Sequence, residues 1–327
     1  MIDVEWYRPD GPGLAPDVEA ELREMLVEAA EADAEAGFPR LSVDDPVEPG
    51  TSYLLIWLLP DERSGRTVPL VPSLAGFLRV EPLRDEDAGT GEVSYVVRPA
   101  YRSRGITTLL IEKIGLELGT PDGWQGTGVS RLRVWARANH PAALRMALRF
   151  RRYGIRTALR EWQMLAPVRI GREVDPGAES RGPDVHEVTA GAGRAAAAEL
   201  WTASGRRHAP PDRWVLLVGG PDERPDGAVW IDPDSAEPTE YGTAGRLVAV
   251  VTRDGRADRE SDPLVRALLV AGLEHLRDAG LRVGAATIDS EDRSLVHEAR
   301  TLGFMHDQTD VQYTVENRTA EPRPAAR

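Results

Sequence analysis

The sequence contains no cysteine, which excludes disulfides, thiolate metal sites and a cysteine nucleophile. Lysine is almost missing as well: Lys113 is the only one among 40 basic residues. Long apolar runs are absent, since the longest, Tyr53 to Leu59, is far short of the roughly 20 residues that a membrane-spanning helix needs. The segment after Met1 shows no charged stretch followed by an apolar core, so no secretion signal is visible and a cytoplasmic protein is expected. Histidine, aspartate and glutamate do not cluster at metal-ligand spacing, so no metal is expected, and no glycine-rich turn of the nucleotide-kinase type occurs. Acidic residues outnumber basic ones, 53 to 40, for a net charge of −13. They are spread through both halves, which disfavours nucleic acid as a partner and leans toward a cationic amine.

What is present fits a folded chain of two domains. The 327 residues are 41% hydrophobic, more than one core of ordinary size accommodates. Periodicity gives a strand at Val4–Tyr7 and a helix at about Asp17–Ala36, with Leu22, Met25, Leu26 and Ala29 at helical spacing. Strands Ser52–Leu59, Leu74–Val80 and Val93–Val97 follow, then helix Gly105–Leu118, strand Arg131–Ala136, helix Pro141–Arg149 and strand Ala158–Leu165. Residues 167–183, rich in glycine, proline and charge, read as a linker. A second pass repeats the order: strand Val185–Val188, helix Ala192–Ala203, strands Trp214–Val218, Ala228–Ile231 and Leu247–Val251, helix Pro263–Ala279, strand Leu281–Ile288, helix Arg293–Leu302 and strand Thr309–Thr314. We infer an internal duplication of about 150 residues, with domains at 1–166 and 184–316 and a disordered tail at 317–327.

The most informative segment runs from Val96 to Leu110. It is an apolar strand, a tight turn containing Arg102, Arg104 and Gly105, then a helix whose first amides are free. Such a helix start suits a pyrophosphate, because its amides lack intrahelical partners and the helix dipole adds partial positive charge. The spacing Arg102-x-x-Gly105-x-Thr107 resembles the Arg/Gln-x-x-Gly-x-Gly/Ala signature of the GNAT superfamily of N-acetyltransferases; Thr107 replaces the usual small residue. Val134-Trp135-Ala136, His140-Pro141-Ala142-Ala143, Arg160-Glu161-Trp162-Gln163-Met164, Trp201-Thr202 and Leu302-Gly303-Phe304 further resemble the tandem mycothiol synthase family within that superfamily, which acetylates the cysteinyl amine of a pseudodisaccharide thiol. An arginine-rich, glycine- and proline-rich composition suits an actinobacterial genome.

The resemblance implies an α/β (α+β) architecture of two tandem GNAT folds, each a splayed mixed sheet flanked by helices. It implies acetyl-CoA as co-substrate, held by the backbone of Val96 and Val97, by Arg102, Arg104, Gly105, Ile106, Thr107 and Thr108, and by Asn139. A small-molecule primary amine is the implied acceptor, acetylated by direct transfer, with the protein a monomer or homodimer. Glu92 is the candidate base. The family keeps a tyrosine acid four residues before the glycine that follows the last helix; here those positions are Phe150 and Ala299. Tyr153 is therefore the candidate acid, with Tyr95 a second nearby hydroxyl. His140 precedes Pro141 at a helix start and reads as a cap. The second half carries Asp258-Arg259-Glu260-Ser261-Asp262 where the loop glycines belong, so poor acyl-CoA binding is expected there, although the family's catalytic domain is the second. A diverged relative acting on another amine is the expectation, and the alternative is a non-catalytic acyl-CoA-binding or scaffolding protein.

Overall fold

A computed structural model describes residues 1–8, 11, 13–34, 38, 40–45, 49–60, 71–83, 88–168, 183–189, 191–204, 210–253 and 261–316. Most of the expected linker, the tail at 317–327 and the Asp258-Arg259-Glu260 segment lie outside these residues. The chain divides into two units, one of residues 1–159 with 311–327, the other of residues 160–310.

The first unit contains β1 (Ile2–Tyr7), α1 (Pro16–Ala32), β2 (Ser52–Leu58), β3 (Ser73–Pro82), β4 (Thr90–Val97), α2 (Ile106–Ile114), β5 (Arg131–Ala136) and α3 (Pro141–Arg149). Strands β1 to β4 pair antiparallel in chain order, and β4 pairs parallel with β5. The sheet alternation delivers two apolar faces. Leu22, Met25 and Leu26 of α1 pack on Leu55, Leu74 and Phe77, while Ile106 and Leu110 of α2 pack on Leu54, Ile56, Leu78 and Val80. Burial of each such side chain stabilises the unit by roughly 1.5–3 kcal/mol. Helix α2 ends sooner than expected, at Ile114. Gly115 takes φ 70, and the last carbonyls are capped from outside the helix by Trp124 Nε1 onto Gly115 O and by the Gln125 amide onto Ile114 O.

The second unit contains β7 (Val185–Glu187), α4 (Ala192–Ala203), β8 (Val215–Gly219), β9 (Gly227–Thr239), β10 (Gly242–Thr252), α5 (Pro263–Asp278), β11 (Val283–Asp289) and α6 (Arg293–Thr301). Here β7 to β10 pair antiparallel in order and β10 pairs parallel with β11, the same plan as the first unit. Each is a splayed mixed sheet flanked by helices.

The last strand of each repeat behaves differently from a simple cut at the linker. Strand β6 (Ile155–Pro167) closes the first repeat in the chain, yet its residues 161–167 pair antiparallel with β11, and Met164 and Ala166 join the second unit's core. Strand β12 (Met305–Glu316) closes the second repeat, yet its residues 311–316 pair antiparallel with β5, and Val311 and Tyr313 pack with Ala136. Each unit thus finishes its sheet with a strand from the other half of the sequence.

Candidate functional site

In each unit the two parallel strands stay paired for only part of their length. In the first, β4 and β5 pair from Thr90–Arg131 to Val93–Val134. Beyond that point β4 continues to Val97 against β3 and β5 continues to Ala136 against β12. The strands form a fork. The amide of Arg98 donates to Ala75 O, so even-numbered residues of β4 turn their backbone groups to β3 and odd-numbered ones turn away. The backbone groups that face the fork are those of Tyr95 and Val97. Val96, named from the sequence together with Val97, directs its amide to β3 instead.

The turn after β4 sits at the fork mouth. A short 3-10 segment, Pro99–Tyr101, leads to Ser103 at φ 60 and Gly105 at φ 78. Gly105 is the N-cap of α2, and a Cβ there would meet nothing within 4 Å among the described residues, which leave the space before the helix open. The first bond into the helix is Leu109 N–H to Gly105 O, and Gly105 provides no side-chain cap. The amides of Ile106, Thr107 and Thr108 therefore have no acceptor among the described residues, which gives the helix start partial positive charge.

The arginines of the turn divide their work. Arg102 is not a bare cation beside the loop: Nη1 and Nη2 donate to both oxygens of Asp33 at 2.6 and 2.8 Å, and Nε donates to Val97 O at 3.0 Å. Asp33 follows the last turn of α1, so this bidentate pair ties the turn to that helix. Arg98 is likewise engaged, with Nε on Glu28 at 2.7 Å. Arg104 lies over the Tyr101 ring at 5.7 Å. Thr107, unlike the small residue of the family signature, places its hydroxyl 3.1 Å from the Tyr95 hydroxyl. Burial pushes the Tyr95 phenol up to about 12, so it stays protonated and able to donate at neutral pH.

The remaining sequence candidates occupy separate places. Glu92 is half-buried on β4, in register with Glu81 of β3 and Arg133 of β5, three residues or about 10 Å along the strand from Tyr95. Tyr153 follows α3, where its hydroxyl accepts from Arg152 at 3.1 Å and its ring lies beneath that guanidinium. Phe150 is 3% exposed and Ala299 fully buried, so the positions of the family tyrosine hold core side chains. Asn139 has φ 45 after the tip of β5, a left-handed conformation that asparagine tolerates. His140 accepts the Ala142 amide through Nδ1 as the cap of α3. Asp33, which holds Arg102, was not singled out in the sequence; a lone carboxylate at a helix end carries no signal there.

The second unit has the same fork without the same lining. Strands β10 and β11 pair from Ala244–Val283 to Leu247–Ala286, then β10 continues against β9 and β11 against β6. Helix α5 starts at Pro263, which has no amide hydrogen, and Asp262 Oδ1 accepts from Leu264 N at 2.9 Å and Val265 N at 3.4 Å. The helix start is closed by a carboxylate. Among the described residues no group of histidine, aspartate and glutamate side chains has a metal-binding arrangement, and no helix is long and apolar enough to cross a membrane.

No family model matches the chain. It is 30% identical to a mycothiol acetyltransferase of Nocardia farcinica, over 95% of this chain and 97% of that one. It is 29% identical to a mycothiol acetyltransferase of Saccharomonospora viridis, over 90% and 94% of the two chains. Among solved structures, a tandem GNAT protein from the clavulanic acid biosynthesis pathway matches 99% of this chain and 100% of that chain, with a TM-score of 0.54 at 17% identity. That likeness is one of fold.

Proposed function

Because this chain belongs to the family of mycothiol acetyltransferases, acyltransferases of GNAT fold, we propose that its first unit binds acetyl-CoA and transfers the acetyl group directly to a small-molecule primary amine. The observation that carries this reading is the open helix start at Gly105. The amides of Ile106, Thr107 and Thr108 suit a diphosphate, with Arg104 beside them, and the fork-facing amides of Tyr95 and Val97 suit the pantetheine arm and the thioester carbonyl. Bound acetyl-CoA would supply the activated acyl group. Glu92 takes the proton that the attacking amine must lose, and a tyrosine hydroxyl returns one to the departing sulfur. Tyr153 is the candidate for that acid, and Tyr95, whose hydroxyl meets that of Thr107 on α2, is the second candidate hydroxyl of the first unit. The second unit, with its carboxylate-capped α5, does not bind acyl-CoA.

A second reading, an acyl-CoA-binding protein without catalysis, is favoured by the buried Phe150 and Ala299 at the family's tyrosine positions. An acetyl-transfer assay across a panel of small amines decides between them. We expect turnover with at least one amine and a rate lower by roughly 10²–10⁴-fold in Glu92→Gln. No turnover with any amine, alongside intact acetyl-CoA binding, selects the second reading.

A further inference from the structure

The fork of the second unit encloses a cavity of about 290 Å³, at the small end of the range for low-molecular-weight ligands. Its walls are partly aliphatic, from Val250, Val251, Val265 and Leu295. Its charged groups are mostly acidic: Asp262, Asp289 and Asp292 line it against the single cation Arg253, with Ser and Thr hydroxyls between them. An acidic cluster alone says little, because carboxylates at helix starts are ordinarily caps. Here the caps account for only part of each group. Asp262 is 2% exposed and gives Oδ1 to α5, while its Oδ2 is buried with no hydrogen-bond partner among the described residues. Ser294, also 2% exposed, lines the same cavity, and its hydroxyl oxygen is buried with no partner among the described residues.

A buried carboxylate oxygen without a donor is costly unless something fills the site. Among the described residues the nearby cations answer this need only in part. Arg266 bonds Glu298, which also accepts from Ser261 and from the Asp262 amide, and Arg253 sets one cation against the three carboxylates of the lining, its Nε donating to Pro225 O. Burial, together with the charges of Asp289 and Asp262, holds the Asp292 carboxyl above the usual carboxylate range. Among the described residues that line the cavity, three carboxylates face one cation. The metal-binding geometry that would answer it with an ion is absent among the described residues, and the aliphatic walls suit carbon.

The geometry points to a small organic cation, an aliphatic primary amine or diamine, bound in the second unit's fork with its ammonium on Asp262 Oδ2, Asp289 or Asp292 and Ser294 Oγ and its chain against the valines. The fork that holds a thioester's carrier in the first unit is, in the second, a site of opposite charge preference. This site is independent of the acetyl-transfer reading.

Calorimetric titration of the full-length protein with 1,4-diaminobutane at low salt tests it, with uncharged 1,4-butanediol as control. The comparison is the double variant Asp262→Asn/Asp292→Asn, in which asparagine keeps both helix caps. Saturable one-site binding by wild type, weakened by about tenfold or more in the double variant and absent for the diol, is the expected result. No saturable binding by wild type, equal binding in the double variant, or equal binding of the diol overturns it. The same titration on Gly105→Glu keeps the two readings apart: diamine binding persists there whatever becomes of acetyl-CoA.

Discussion

The two units present the same fork at the end of two parallel strands and furnish it in opposite ways. In the first, a glycine leads into α2 and leaves its opening amides bare. In the second, proline removes one amide and Asp262 occupies two more before a ligand can reach them. The fold supplies the opening, and the residues at a single helix start set which charged groups line it. A duplicated architecture therefore does not imply a duplicated ligand.

The contrast is most sharply tested by acetyl-CoA titration. Gly105→Glu is expected to weaken binding by roughly a hundredfold, about 2.8 kcal/mol, whereas Asp262→Asn stays within about twofold of wild type. Gly105→Asn tolerates the left-handed backbone without adding charge and separates strain from repulsion. Binding unchanged in Gly105→Glu breaks the comparison.

A smaller effect is expected from Arg102→Ala, which leaves Asp33 without its bidentate partner and frees the turn from α1. The loss is about 1–2 kcal/mol in urea unfolding, since hydrogen bonds to charged groups are involved and both side chains are partly exposed. Arg102→Lys recovers little, because one ammonium cannot reproduce the fork of donors. A variant as stable as wild type would show the turn to be held by something else.

The smallest effect concerns Asp292, whose carboxyl is held above its usual range by burial and then by its acidic neighbours. A raised folded-state value means that the stability contribution is present at low pH and lost as pH rises through that value. Asp292→Asn is therefore expected to raise the urea midpoint near neutral pH by a small margin that shrinks as pH falls toward about 4. A margin independent of pH would show that the charge in the second fork is already compensated.

Much of this was legible in the residues. The amphipathic spacing of Leu22, Met25, Leu26 and Ala29 located α1 and its buried face, and the Arg102 to Thr107 spacing led to the first fork. Partner choice was not legible. Arg102 carries the same charge whether it faces a phosphate or Asp33, and only the fold brings residues 69 apart in sequence together. Backbone facing was equally hidden, since the parity that turns Val97 toward the fork and Val96 away is fixed by the register with β3. The alternation of Val311, Tyr313 and Val315 shows a strand with one apolar face and cannot say which sheet receives it.

That exchange of closing strands has a consequence for how the molecule is made. On the ribosome, the first unit acquires every element but its last strand early, yet β5 (Arg131–Ala136) lacks its β12 partner until residues 311–316 appear, about 175 residues later, or roughly 10–35 s at common rates of synthesis. The second unit receives β6 before any of its own strands exist. The N-terminal half is thus a nascent chain that waits with an adhesive edge open, and the fork where acetyl-CoA is proposed to bind is bordered by the strand whose outer edge waits longest.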